Sequence, residues 1–168
     1  MTRLKTEFLE LYRAAYNNAI DLLSEAEILF DKEKYARAYF LAFTGLEEIS
    51  KSQLAADLFT EFIGEEEFKK CYTNHRAKIE RMAWASEDAQ RYLDVEEETY
   101  IYIEEPTIAA RMNALYVHFD GKRVQSPGDI VRREDAKSII HTLRVAIERI
   151  IEVTEYWGHQ IGTKGFMK

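Results

Sequence analysis

Arg111 and His118 are separated by six residues, in RMNALYVH. An arginine fork binds phosphate in bidentate fashion, and histidine's ordinary pKa near neutrality lets it take up and release a proton. Together the two could cleave RNA without a metal, the 2′-hydroxyl serving as internal nucleophile. If one helix ran through both, they would lie two turns apart on the same face. Three acids and bases stand together earlier in the chain, at Glu47, Glu48 and Lys51. Glu47 and Lys51 have i,i+4 spacing for an ion pair, and their place after a very apolar stretch allows a second reading as buried, partnered charges. His75, Arg76 and Lys78 form a basic cluster that reads first as a solvated helix face and second as a weak substrate-binding site. His141 and His159 have no distinguishing context.

Other chemistries lack their residues. A di-iron bundle needs Glu three residues before a histidine on two helices, and none of the four histidines has one. Cys71 is the lone cysteine, so internal disulfides and Cys-pair zinc sites are excluded, and no other metal or cofactor motif is visible. P-loop, Rossmann and nucleophile-elbow patterns are also lacking. Net charge is −7, which argues against a general nucleic-acid coat but leaves room for a local basic site.

The elements that must position these residues are helical. Of 168 residues only seven are Gly and two Pro, too few turn residues for a β-sandwich or barrel. Hydrophobic residues make up 46%, enough for a real core and too many for a disordered chain. Steps of three and four predict helices over Thr2–Phe30, Glu33–Ile63, Glu65–Leu93 and from about Arg133 onward. Asp31 is placed to cap the second helix and Gly64 to stop it. The second helix is apolar nearly all round from Ala36 to Leu46, which places it centrally, and Ala38, Ala42 and Gly45 would let a neighbour approach closely. Glu98–Glu105 alternates like a short extended segment, and Pro106 opens a short helix, Thr107 to about Leu115. Asp120-Gly121 between two alternating runs predicts a hairpin over Tyr116–Val124, which would take His118 off the helix; Ser126-Pro127-Gly128 reads as loop. Four long helices with short connections make one all-α bundle domain over residues 1–168, with a short extra helix and a small extended or hairpin insertion near 98–125. A charged N-terminal stretch and the lack of any spanning apolar run predict a cytoplasmic protein with no membrane segment.

Three blocks resemble a known family. YARAYFLAFTGLEEISKSQLAADLF (Tyr35 to Phe59), NHRAKIE (Asn74 to Glu80) and RMNALYVHFDGKRVQSP (Arg111 to Pro127) are similar, in order and spacing, to the AbiV family of abortive-infection proteins. The resemblance runs from about Tyr35 to Ile151. It implies a HEPN-like helical bundle, a homodimer and a role in phage defence. It also implies a metal-independent endoribonuclease toxin, with Arg111 and His118 as the Arg-x(4–6)-His motif completed across the dimer. The alternative is a non-catalytic helical dimer that binds a phage or host protein.

Overall fold

The computed structural model describes the backbone of residues 3–96 and 106–158, and side chains within 6–90 and 106–150. The extended segment expected at Glu98–Glu105 and His159 lie outside the described residues. The described chain is helical apart from one two-stranded hairpin.

Helix α1 (Arg3–Asp31) turns into α2 (Tyr35–Phe59) through Lys32–Lys34. Glu33 takes a left-handed φ of 57°, and the Lys34 N–H donates to the Leu29 carbonyl at 2.8 Å, which closes the turn. Asp31 is therefore the last residue of α1 rather than a cap, and Lys34 fills the N-cap position of α2 without a side-chain bond. At the other end α2 stops at Phe59, where the Thr60 hydroxyl donates to the Ala56 and Asp57 carbonyls. Gly64 starts the next helix instead of ending this one.

The periodic run expected as one helix over Glu65–Leu93 is three: α3 (Glu65–Thr73), α4 (His75–Glu80) and α5 (Ala83–Glu96). Asn74 makes the first break. It is extended at φ −99° and ψ 110°, and its side chain accepts from the Ala77 N–H, so it caps α4. The break swings His75 and Lys78 back toward α2. After the undescribed segment come α6 (Ile108–Leu115), capped by the Thr107 hydroxyl, strands β1 (His118–Phe119) and β2 (Val124–Gln125), α7 (Pro127–Ile130) and α8 (Arg133–Gly158). Ser126-Pro127-Gly128 thus opens a short helix rather than a loop, because Asp129 accepts from the Ser126 N–H and hydroxyl. Those bonds hold the Asp129 carboxyl below the ordinary aspartate range.

Helix α2 is the central element, packed against α1, α8, α6 and the α3–α4 corner. Its Ala42, Phe43, Leu46 and Ile49 are buried with Ile139, Leu143, Ala146 and Ile150 of α8 and with Ala19 and Ala26 of α1. Each large side chain removed from water here stabilises the fold by about 1.5–3 kcal/mol. Gly45 faces α8 so closely that an added Cβ would sit 2.5 Å from Leu143 Cδ2. Leu143 is fully buried, with little room to yield. Gly45→Val should therefore cost about 1–3 kcal/mol, despite glycine's poor helix propensity. Thermal unfolding checks this, at roughly 2–4 °C lost per kcal/mol, and an unchanged midpoint would contradict the close packing.

Candidate functional site

Glu47 occupies the inward face of α2 and is 3% exposed. A carboxylate buried so deeply needs partners, and three other side chains supply them. His75 Nδ1 lies 2.5 Å from Oε1, Lys78 Nζ lies 4.0 Å from the same oxygen, and Arg111 Nε lies 3.8 Å from Oε2. They come from the first turn of α4, from the turn above it, and from α6. Lys78 is itself buried, and burial pushes its ammonium below the usual lysine range while Glu47 opposes the shift. The Arg111 guanidinium also lies over the Phe40 ring, 5.2 Å from its centroid, and its Nε is buried with no hydrogen-bond partner.

The expected i,i+4 pair of Glu47 with Lys51 is not made. Lys51 pairs one residue nearer, with Glu48 at i,i+3, and lies over the Tyr72 ring. The second reading, Glu47 as a buried and partnered acid, describes the position. The basic cluster divides as well: Lys78 turns inward to Glu47, His75 is half exposed beside it, and Arg76 is exposed and paired with Glu80 at 2.7 Å. They do not form one solvated face. The balance around Glu47 is positive, because Lys78 and Arg111 outnumber it and Lys51 is matched by Glu48. The cluster thus carries surplus positive charge in an otherwise acidic chain.

Arg111 and His118 do not share a helix. Helix α6 ends at Leu115, Tyr116 is extended, and His118 begins β1, opposite Gln125. The hairpin forms because the Asp120 carboxylate accepts from the Lys122 and Arg123 N–H groups, each at 2.8 Å, and Gly121 takes φ 91°. The same bonds, the Arg123 one first, hold Asp120 below its ordinary range. His118 is exposed on the hairpin, while Arg111 stays on α6 against Glu47. Around it Tyr116, Val117, Phe119 and Val124 are 56–68% exposed. His141 is spoken for: its Nε2–H donates to the Ala89 carbonyl at 3.1 Å.

No group of three or more His, Cys, Asp or Glu that could hold a metal occurs among the described residues. Nor is any helix there long and apolar enough to cross a membrane. Sequence reading missed the Glu47–His75 and Glu47–Arg111 contacts, since they join three elements distant in the chain. The one available signal was an acid set into so apolar a helix.

Nothing among curated proteins or solved structures matches the chain. Residues 7–148 match the HEPN family described as AbiV, which takes in α1 through most of α8 and every residue of the Glu47 cluster. The all-α bundle, the hairpin-bearing insertion and that match agree: the chain belongs to the AbiV family of HEPN-like proteins.

Proposed function

We propose that this AbiV-family protein, whose family points to abortive-infection phage defence, acts as a metal-independent endoribonuclease. Arg111 steadies the charge that develops on the phosphorane, and His118 transfers a proton as general acid/base. Two copies of the single HEPN-like domain pair, in the cytoplasm where RNA is available, so that the exposed His118 of the hairpin meets an Arg111 site. What carries the reading is the anchoring of Arg111. Glu47 and Phe40 fix its guanidinium, and a buried Nε without a hydrogen-bond partner sits in a cluster with surplus positive charge. Lys78 and His75 adjoin the same carboxylate and add to phosphate binding.

His118→Ala should lower RNA cleavage by purified protein at least about 100-fold, the usual contribution of a positioned acid/base. Its melting temperature should stay unchanged, since the side chain is exposed. Light scattering at tens of micromolar should show a dimer, whose interface would bury more than about 1,000 Å² in total.

A second reading is favoured by the apolar hairpin. Tyr116, Val117, Phe119 and Val124 crowd one small exposed element and suit a protein partner, from the phage or the host. Growth arrest by the His118→Ala protein equal to that by the wild type, with no RNA cleaved by either, would establish that reading instead.

A further inference from the structure

Cleavage of RNA by its own 2′-hydroxyl requires two proton movements. One proton leaves the 2′-oxygen as it attacks phosphorus, and another must reach the 5′-oxygen as it departs. A single histidine cannot be empty and loaded at once. The acid and the base are therefore two groups, and in a dimer the second is either the His118 of the second copy or a base that already stands beside Arg111.

Resting on that reading, we propose that His75, oriented by Glu47, is the second group and acts as the base. A carboxylate oxygen can only accept, so the 2.5 Å contact fixes Nδ1 as the protonated nitrogen and leaves the Nε2 lone pair outward. Glu47 is confined, because α2 buries it, Lys78 ion-pairs with the oxygen that meets His75 and Arg111 ion-pairs with the other. His75, by contrast, has 54% of its side chain exposed, so a large substrate can reach it. A buried acid, an imidazole oriented through Nδ1 and a free Nε2 make the arrangement that activates hydroxyl nucleophiles in unrelated folds. Here the anion site lies alongside, since Arg111 holds the other oxygen of the same carboxylate.

In the step, His75 Nε2 takes the proton from the 2′-hydroxyl and the freed oxygen bonds to phosphorus. The bond from phosphorus to the 5′-oxygen breaks, and that oxygen takes a proton from protonated His118. The products are a 2′,3′-cyclic phosphate and a 5′-hydroxyl strand. The protein ends with His75 charged and His118 neutral, and exchange with water restores both. Charged groups set around His75 are Glu47, Glu48 and Lys51 on α2, Arg76 and Lys78 on α4, and Arg111 on α6. None of these is a second histidine, and Lys78 is buried against Glu47, so His75 is the exposed imidazole on this face.

The test uses the full chain with cellular RNA in EDTA. His75→Asn keeps an N–H for Glu47 but lacks the second ring nitrogen, and His75→Ala leaves space for a free imidazole. Both should lose about 100-fold or more in rate and lose the rising limb of the pH–rate profile. Imidazole added to the medium should restore part of the activity of His75→Ala, an effect no merely structural role predicts. Wild-type rates in both variants would overturn the inference while leaving the ribonuclease reading in place. So would an activity loss that imidazole does not restore and that comes with a lowered melting temperature. A wild-type chain that cleaves no RNA overturns both.

Discussion

Arg111→Lys should reduce RNA cleavage by roughly 100-fold or more while the protein stays folded. The size follows from the loss of one preorganised donor set aimed at transition-state charge. An ammonium keeps the positive charge but has no planar fork, so it cannot grip phosphate in a guanidinium's fixed bidentate geometry. It also gives up the stacking that places Arg111 over Phe40 at 5.2 Å. The fold should tolerate the change because Glu47 keeps Lys78 and His75. Initial rates on RNA, alongside thermal melts, separate the two effects. Cleavage at the wild-type rate would show that Arg111 only neutralises Glu47.

Arg81→Met should destabilise the protein by about 3 kcal/mol at neutral pH, and by much less in acid. Asp57 of α2 is 4% exposed at its side chain and is ion-paired with Arg81. Removing one partner of a buried pair leaves an uncompensated charge, at a typical cost of about 3–5 kcal/mol; the lower end applies because Arg81 is partly exposed. Burial raises the Asp57 carboxyl above 3.8, and Arg81 opposes that rise. Because the folded value lies above the unfolded one, the group's contribution is fully present below about 3.8 and is lost as pH rises through the folded value. Without Arg81 the carboxyl should rise further, so the penalty is largest above that value and shrinks as the neutral acid forms. Denaturant unfolding from about pH 8 to about pH 4 reads this directly. Asp57→Asn, which cannot ionise, should make the same Arg81 substitution nearly independent of pH. A pH-independent loss in the Arg81→Met single variant would contradict the assignment.

Much of the frame could be read from local signals. Helix α2 announces its central place through the stretch Ala36 to Leu46, apolar nearly all round, and Gly45 marks the approach of α8 through Leu143. Asp120-Gly121 carries the hairpin because its bonds are made within four residues. Breaks were harder to see. Apolar spacing continues through Asn74, and only the competition of its side chain for the Ala77 N–H splits the run. The same limit hid the site. Glu47 and Lys51 looked like a pair because sequence shows intrahelical spacing, whereas His75, Lys78 and Arg111 reach Glu47 only once α4 and α6 dock on α2. Arg111 and His118 were visible as residue types, but the end of α6 at Leu115 moves His118 to a different surface element.

The most direct measurement is the chemistry of the RNA ends left by the purified wild-type chain in EDTA. A metal-independent attack by the 2′-hydroxyl predicts 2′,3′-cyclic phosphate and 5′-hydroxyl ends, with cleavage blocked where the attacking ribose is replaced by deoxyribose. Ends bearing 3′-hydroxyls that vanish on chelation, or no cleavage even of RNA from phage-infected cells, would contradict the ribonuclease account.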